Sequence, residues 1–399
     1  DVKGDLQGDF GPFRGIKFRS GYGDYRHFEL EGEEMEIATQ FENDEVEARL
    51  ELLGKTYAAY GGELEMAYGT QLRFRDFSAL GEEAFVPPSE QMQIGLFALS
   101  EFTKGPWVMD AALRYEHVKN ETDRFIMEED GAPQAVDNDY DIFSIIGGIG
   151  MEASENIFLG LNLARTERAP SLEESFAFGP HLATSSFEIG DAMLGKETAL
   201  GFEGTLRGEF GPYTFIFNGY VTDYDDFIFE SRTGEELDGL PVFAFGAADA
   251  RFRGFEIEFD ADLGSLETDS FGTIDFAWHG QADMVRASFS DASEADLPRI
   301  PPFSILSGLS AGSKLGSARI EVEHNGAQDR TGAFELPTES FTFVNLYLSA
   351  RPIKAYSNLS FNLRAHNLGD IRGRTATSFL KDSVPLPGRD IRLGIKLDF

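Results

Sequence analysis

The residues best suited to bind a ligand are a histidine and the carboxylates around it in the sequence. Four carboxylates flank His181: Glu173, Glu174, Glu188 and Asp191. Neutral imidazole and carboxylate oxygens together form a donor set that zinc and similar divalent ions accept. We therefore predict that His181 is a metal ligand and that the four carboxylates belong to the same substrate site. The alternative is a surface histidine hydrogen-bonded to water.

Two other histidines are candidate substrate ligands on the polar face of extended segments. Alternation of side chains places His279 on one face with Asp275, and His366 on one face with Arg364. His324 falls instead on the apolar face of its segment. We therefore add His279 and His366 to the predicted substrate-binding residues.

The sequence gives no support for catalysis. Paired carboxylates such as Glu82 and Glu83 can perform acid–base chemistry, but here they stand among other charges, which favours a solvated rim that attracts cations. No serine nucleophile motif, phosphate-binding loop or zinc-protease helix occurs, and the chain has no cysteine. We predict that the protein is not an enzyme and has no permanently bound cofactor.

Strands must position these residues, because apolar and charged side chains alternate with a period of two. In residues 255–263 the odd positions are apolar and the even positions acidic, and the closing stretch 389–399 alternates up to an aromatic end at Phe399. The same alternation recurs in residues 45–52, 63–74, 92–98, 213–221, 319–323 and 359–364. A helix would scatter these side chains around its circumference.

Connections of two kinds follow one another along the chain. Short turns are predicted near residues 11–12, 105–106, 154–155, 211–212, 314–316 and 352–356. Long loops are predicted near residues 76–90, 120–138, 169–196, 231–242, 286–302, 331–338 and 372–387. Short turns at one end and long loops at the other are typical of outer-membrane barrels, with the short turns in the periplasm.

These features predict an all-β fold, a large antiparallel transmembrane β-barrel. We count about 17 strands, whereas plugged transporter barrels have about 22. We therefore expect residues 1–399 to be the C-terminal portion of the barrel, without the plug domain and the first strands; the alternative is a miscount. A soluble sandwich would need a layer covering the apolar faces, and no helical periodicity supplies one.

Composition agrees with a barrel and excludes nucleic acid. The formal net charge is −35, so the chain offers no basic surface for phosphates. The 43 glycines and 37 phenylalanines suit a barrel wall with aromatic belts. No apolar run reaches the roughly 18 residues that a spanning helix needs.

Several blocks resemble TonB-dependent outer-membrane receptors. The first is residues 165–174, Arg-Thr-Glu-Arg-Ala-Pro-Ser-Leu-Glu-Glu, which in that family leaves a mid-barrel strand and enters a large extracellular loop. Further matching blocks are residues 75–88, 179–190, 196–197, 248–256, 367–370, 377–382 and 385–389. The block 179–190 is similar to the branch that includes zinc-uptake receptors. Related receptors often have a histidine where this chain has Ala376, which argues against a zinc ligand there.

The resemblance implies a set of motif residues and a set of partners. The motif residues are Arg165, Glu167, Arg168, Pro170, Glu173, Glu174, Gly179, Pro180, His181, Lys381, Asp382, Pro387, Gly388, Arg389 and Phe399. The implied partners are outer-membrane lipid, the TonB energy-transducing complex acting through the N-terminal part, and the barrel-assembly machinery acting on the Phe399 strand. The implied location is the outer membrane of a Gram-negative bacterium.

The predicted function is active uptake of a scarce metal, zinc or a similar divalent ion, or of a metal chelate. One alternative is a ferric-siderophore or haem receptor of the same family. A second alternative, from another class, is a passive porin-like or structural barrel.

Overall fold

The computed structural model describes residues 1–31, 36–81, 84–126, 131–181, 183–290, 295–351 and 358–397. Most of the described chain is β-strand. Phe399, the acidic pair Glu82 and Glu83, and the predicted turn at 352–356 lie outside these ranges. No helix in the described ranges is both long enough and apolar enough to cross a membrane.

Twenty strands and one short helix make up the structure. The strands are β1 (Val2–Phe10), β2 (Phe13–Glu31), β3 (Glu36–Gly54), β4 (Tyr57–Ala59), β5 (Gly62–Gly81), β6 (Ser89–Lys104), β7 (Trp107–Phe125), β8 (Gln134–Ser154), β9 (Ile157–Arg168), β10 (Phe178–His181), β11 (Ser186–Ile189), β12 (Glu197–Phe210), β13 (Tyr213–Leu237), β14 (Leu240–Thr268), β15 (Gly272–Phe289), β16 (Ser304–Ser313), β17 (Gly316–Asn325), β18 (Phe341–Ala350), β19 (Leu359–His366) and β20 (Asp390–Leu397). The helix is α1 (Leu172–Phe176).

The strands form one sheet in which each long strand pairs antiparallel with the next long strand. Setting aside the short strands β4, β10 and β11, seventeen strands form this wall, as the sequence predicts. Among the described residues, β1 pairs only with β2, and β20 pairs only with β19. Because seventeen is an odd number, these two edge strands run in the same direction.

The wall separates an apolar outer face from a polar inner face. On β14 the outward residue Ile257 is exposed, and so are Leu96 on β6 and Leu161 on β9. The acidic residues Glu256 and Glu258 alternate with the apolar ones on the opposite face. Large exposed apolar side chains in this alternation are typical of the outer face of a transmembrane barrel.

One predicted loop, residues 231–242, is wrong. The structure continues β13 and β14 through this stretch and joins them at Asp238 and Gly239. Both residues have positive φ, 51° and 77°, as a two-residue type I′ hairpin turn requires. Asp-Gly is a strong sequence signal for this turn, so the hairpin was predictable. It extends the wall beyond the membrane on the long-loop side.

The buried core lies on the long-loop side of the wall and not in its middle. One cluster unites Phe41 and Phe77 from the wall with Phe85 from the β5–β6 loop and Leu172 and Phe176 from α1. A second cluster contains Ala250, Ala287 and Leu297. The loops therefore pack into an ordered cap over this end of the barrel, which we call the mouth.

Candidate substrate site at the barrel mouth

The largest element at the mouth is residues 169–196, which we call the mouth loop. It begins with α1, whose first turn is closed by a capping box. The Ser171 hydroxyl accepts from the Glu174 amide at 3.1 Å, and the Glu174 carboxylate accepts from the Ser171 amide at 2.7 Å. Such reciprocal bonds satisfy amides that a helix start leaves free. The Ser-x-x-Glu spacing was visible in the sequence, although we predicted no helix there.

The mouth loop binds to two parts of the wall that lie far apart. On one side Phe176 packs in the cluster with Phe85 and Phe41, and the Phe178 amide donates to the Phe85 carbonyl at 2.6 Å. On the other side β11 pairs parallel with β14, Phe187 opposite Val242. Phe41 lies on β3, so the strands β5 to β9, β12 and β13 separate the two attachments. The loop therefore crosses the mouth.

Two arginines of the wall, the motif residue Arg168 and Arg75, hold the mouth loop to the rim, whereas the motif residue Arg165 pairs within β9. Arg168 lies 2.7 Å from Glu174 and 3.2 Å from Glu197, and Arg165 lies 2.7 Å from Glu167. Arg75 on β5 lies 2.9 Å from Glu173 in α1. Burial opposes ionisation of Glu173, but Arg75 outweighs it and holds the pKa of this carboxyl below its usual value. Glu173 and Glu174 therefore serve in ion pairs with arginine.

His181 is partly buried and already has two partners. Its Nδ1 lies 2.6 Å from a Glu188 oxygen, and its ring stacks on Phe85 with 4.2 Å between ring centres. The same Glu188 oxygen accepts from the hydroxyls of Thr184 and Ser186. Burial disfavours the charged imidazole, but Glu188 and more distant carboxylates outweigh burial and raise the pKa of His181.

A second buried carboxyl, Glu230 on β13, lies near this pair. Burial, reinforced by Glu188, raises the pKa of Glu230 to about 7, although Arg299 and His181 oppose the shift. One Arg299 nitrogen donates to the Glu230 carbonyl at 2.9 Å and lies 3.5 Å from its carboxylate. Glu230 Oε1 has no hydrogen-bond partner among the residues that the structure describes. Burial lowers the pKa of Arg299, against the effect of Glu230.

A cavity of about 190 Å³ opens at the mouth beside this cluster. Its lining includes the cations Arg232, Arg299 and Lys381, the carboxylates Glu335 and Asp382, and the rings of Phe243, Phe334 and Phe379. Arg299 lies over the Phe379 ring, 4.1 Å from its centre. The buried ammonium of Lys381 donates to Glu335. Arg232 Nε is buried and, within the described ranges, has no hydrogen-bond partner.

The motif near the carboxyl end shapes one wall of this cavity. Lys381 and Asp382 line it directly. The Arg389 amide donates to Asp370 at 2.9 Å, and the Pro387 carbonyl accepts from Asn367 at 3.3 Å. Gly388 lies so close to Asp370 that a Cβ would approach its carboxylate oxygen to 2.9 Å. These contacts hold the last long loop in a compact form beside the cavity.

A family model described as TonB dependent receptor-like, beta-barrel matches residues 4–368. The chain belongs to this family. Membership places it in the outer membrane of a Gram-negative bacterium, as the sequence predicts. The predicted resemblance to TonB-dependent receptors is confirmed at the level of the family.

Solved receptor structures share the fold. One titled "Copper transporter OprC" is 14% identical, with 99% of this chain and 64% of that chain covered and a TM-score of 0.78. The FrpB iron transporter from Neisseria meningitidis is 12% identical, with 99% and 62% covered and a TM-score of 0.72. A mutant of the ferric enterobactin receptor PfeA from Pseudomonas aeruginosa is 15% identical, with 98% and 61% covered and a TM-score of 0.69. The chain thus spans less than two thirds of these receptors.

The structure brings together only part of the predicted substrate site. His181 and Glu188 are in contact, whereas Asp191 accepts from the Met193 amide at 2.8 Å. His279 lies 2.8 Å from Asp260, nearer the periplasmic start of β15 than its outer end, and His366 packs edge-on against Tyr347. In the part of the chain that the structure describes, no three histidine or acidic side chains are grouped so that they could hold a metal ion.

Three residues at the site were missed in the sequence: Phe85, Glu230 and Arg299. They come from a loop, a strand extension and another loop, far apart in the chain. Phe85 lies within the matching block 75–88, whereas Glu230 and Arg299 lie outside every matching block. The Asp-Gly turn that creates the β13–β14 extension is the one signal that pointed to this region, because the extension carries Glu230 and Arg232.

Proposed function

We propose that this protein is an outer-membrane active-transport receptor that binds a metal chelate at the mouth and imports it with energy from the TonB complex. The observation that carries the proposal is the cavity lined by Arg232, Arg299 and Lys381. Although the chain has a net charge of −35, three cations against two carboxylates give the lining of this cavity an excess of positive charge. Such a lining attracts an anionic ligand and repels a free metal cation.

The aromatic residues narrow the class of chelate. Phe243 and Phe379 contact each other edge to face at 5.4 Å, and Arg299 stacks over Phe379. A flat aromatic ligand that carries carboxylate or catecholate oxygens would contact both the rings and the guanidinium groups. Ferric siderophores with aromatic donors and haem have this chemistry. The neighbouring structures whose titles name iron and ferric enterobactin support a cargo of this kind.

A free divalent metal, zinc or a similar ion, is the second candidate. His181 and Glu188 are in contact, and an imidazole with carboxylate oxygens is a donor set that zinc accepts. Among the described residues, however, no third histidine or acidic side chain joins them in a group that could hold a metal ion, so this candidate ranks second. Loss of zinc binding in His181→Ala would support this candidate, and unchanged zinc affinity would exclude it.

The transport machinery extends beyond residues 1–399 in this proposal. Parallel edge strands cannot close an antiparallel barrel, so an odd number of further strands is needed, and about five would complete a 22-strand receptor. A plug domain and a TonB-contacting segment would precede them. The C-terminal segment with β20 and the aromatic residue Phe399 would be recognised by the barrel-assembly machinery, and lipid would cover the outer face. A passive or structural barrel would lack both plug and TonB dependence.

The experiment titrates the protein, purified from outer membranes, with a ferric catecholate, with haem and with free Zn²⁺, and follows intrinsic fluorescence. We expect one of the two chelates to bind. Arg232→Gln should weaken this binding about tenfold, because a charge-assisted hydrogen bond to the ligand is lost. Arg26→Gln is the matched control, since Arg26 is an exposed outer residue paired with Glu42 at 2.9 Å.

Three outcomes would contradict the proposal. Binding of Zn²⁺ alone, with Arg232→Gln indistinguishable from the parent, would favour the divalent-metal candidate. Equal weakening by Arg26→Gln would show a general charge effect. Uptake that persists in cells lacking TonB would indicate a passive barrel.

A further inference from the structure

Two arginines face each other on the outer surface of the wall. Arg253 on β14 is the direct cross-strand partner of Arg286 on β15, and we call these two residues the arginine pair. Both side chains are exposed. Like charges directly opposite each other destabilise a sheet, so an unbalanced pair needs an explanation.

The pair lies on the face that contacts lipid. No irregularity interrupts the β14–β15 register between Ala250 and Asp262, so Arg253 shares a face with Phe255 and Ile257. The neighbour Arg251 shares this face too, and it is neutralised by Asp223 of β13 at 2.5 Å. In the described ranges, by contrast, no hydrogen bond or ion pair joins Arg253 or Arg286 to another residue.

The height of the pair matches the outer edge of the membrane. A tilted strand crosses the hydrocarbon layer in about 9–11 residues. If the crossing of β13 is counted from Tyr213 at its periplasmic start, it ends between Val221 and Asp223. Val221 is the cross-strand partner of Arg253. Below the pair the outer face is apolar, with Phe255 opposite Met284. The guanidinium groups therefore lie at the level of the lipid headgroups of the outer leaflet.

The arginine pair also differs in the sign of its charge from another part of the outer face at the same rim. On β8 the residues Asp137, Asp139 and Asp141 share the outer face, and Lys119 and His117 of β7 lie within 3.4 Å of their carboxylates. Beside Arg286, a crevice of about 190 Å³ runs between β15 and the residues Pro302 and Phe303. The lining of this crevice also contains Asp296, Asp329 and Arg330, and Arg330 is paired with Asp296 at 2.9 Å. On the β14–β15 side the arginine pair therefore lies above an apolar surface and beside a crevice.

We propose that the arginine pair binds a phosphate group of a glycolipid in the outer leaflet. A phosphate between two guanidinium groups would accept charge-assisted hydrogen bonds from both and remove their repulsion. Phe255 and Met284 would contact the acyl chains. This site depends only on the outer-membrane location and not on the transported ligand, so it stands or falls separately from the proposed uptake function.

The experiment uses the purified protein in detergent and measures by native mass spectrometry how much lipid it retains. Three lipids are compared: a diphosphorylated lipid A, the same lipid without phosphates, and phosphatidylglycerol. The parent should retain the diphosphorylated lipid most strongly. Arg253→Gln/Arg286→Gln should bind it about 30-fold more weakly, equivalent to about 2 kcal/mol at about 1 kcal/mol for each charge. Arg253→Lys/Arg286→Lys should keep part of the binding, because it keeps the charges.

The control is Arg19→Gln/Arg207→Gln, which removes the same charge from the opposite face of the wall and should bind like the parent. Heat-modifiable mobility on gels checks that each variant is folded. Equal retention by the parent and the double glutamine variant would overturn the proposal. So would equal binding of the lipid without phosphates, which would show apolar adsorption only, or a preference for phosphatidylglycerol.

Discussion

Glu230 is the residue whose chemistry depends most on its surroundings. Its carboxyl is buried beside Glu188, with Arg299 and His181 as the nearby cations. A carboxyl that would be ionised in water therefore titrates near neutral pH. These four side chains come from the mouth loop, the β15–β16 loop and the wall, so the protonation state of the cluster affects how firmly the mouth loop is held.

Docking of the mouth loop should weaken as pH rises. The pKa of Glu230 is raised from 4.5 to about 7, so the docked state holds a proton that the undocked state releases between these values. This contribution is full below about pH 4.5, falls as pH rises and is lost once pH passes 7, by up to about 3 kcal/mol. The raised pKa of His181 acts in the same direction at higher pH. Hydrogen exchange of the β11 amides, corrected for the pH dependence of the intrinsic exchange rates, measures how firmly the mouth loop is docked at each pH.

Glu230→Gln serves as the comparison for this pH dependence. The amide stays uncharged at every pH, so β11 protection should change less between pH 5 and pH 8 than in the parent. If the protection of the β11 amides rises with pH in the parent, Glu230 does not control docking of the mouth loop. The same holds if the parent and Glu230→Gln show the same dependence of protection on pH.

Phe176 should be the main apolar anchor of the mouth loop. It is fully buried in the cluster with Phe85 and Phe41. Phe176→Ala should destabilise loop docking by about 3–5 kcal/mol through lost burial and a cavity, and limited proteolysis should then cut within residues 169–196. Met193→Ala in the same loop, where Met193 is 87% exposed, should leave the cleavage rate unchanged; if both variants cut alike, the anchor lies elsewhere.

At the scale of elements, the β13–β14 hairpin is the feature that sets the height of the wall. It carries Glu230, Arg232 and Val242 beyond the membrane, where the mouth loop pairs with it. Its two-residue turn depends on positive φ at both positions, and Gly239 accepts this without strain.

Gly239→Val should loosen the tip of this hairpin. Valine at φ 77° is strained by about 1–2 kcal/mol, although open space surrounds the position. Protease cleavage at residues 237–240 should accelerate. Gly246→Ala is the control, because Gly246 also faces open space and has no positive φ. Resistance of Gly239→Val to cleavage would show that the turn is not the limiting constraint.

At the scale of the whole molecule, the strands of the wall could be predicted from the sequence, but the contacts among the loops at the mouth could not. Alternation along single strands such as 255–263 is a local pattern, so the strand number and the face of each residue could be predicted. The ion pair of Arg75 with Glu173 joins residues 98 positions apart, and the contact of Phe85 with His181 joins separate loops. No single stretch of sequence encodes such long-range contacts, because they depend on how the loops pack over the folded wall.

The orientation of the barrel can be tested with single cysteines, since the chain has none of its own. A membrane-impermeant thiol reagent should label Ala183→Cys in the mouth loop on intact cells. It should label Glu155→Cys, in the short turn after β8, only after the outer membrane is permeabilised. Labelling of Glu155→Cys but not Ala183→Cys on intact cells would reverse the assignment.

The parallel pairing of β11 with β14 has a consequence for the order of folding. Residues 187–189 pair with residues 242–244, and all of β12 and β13 lies between them in the chain. Since contacts between distant segments form after the chain between them is in place, the mouth loop can close only once the β13–β14 hairpin has been built. During assembly the growing wall therefore has an open outer end, and the hairpin made later determines when it is covered.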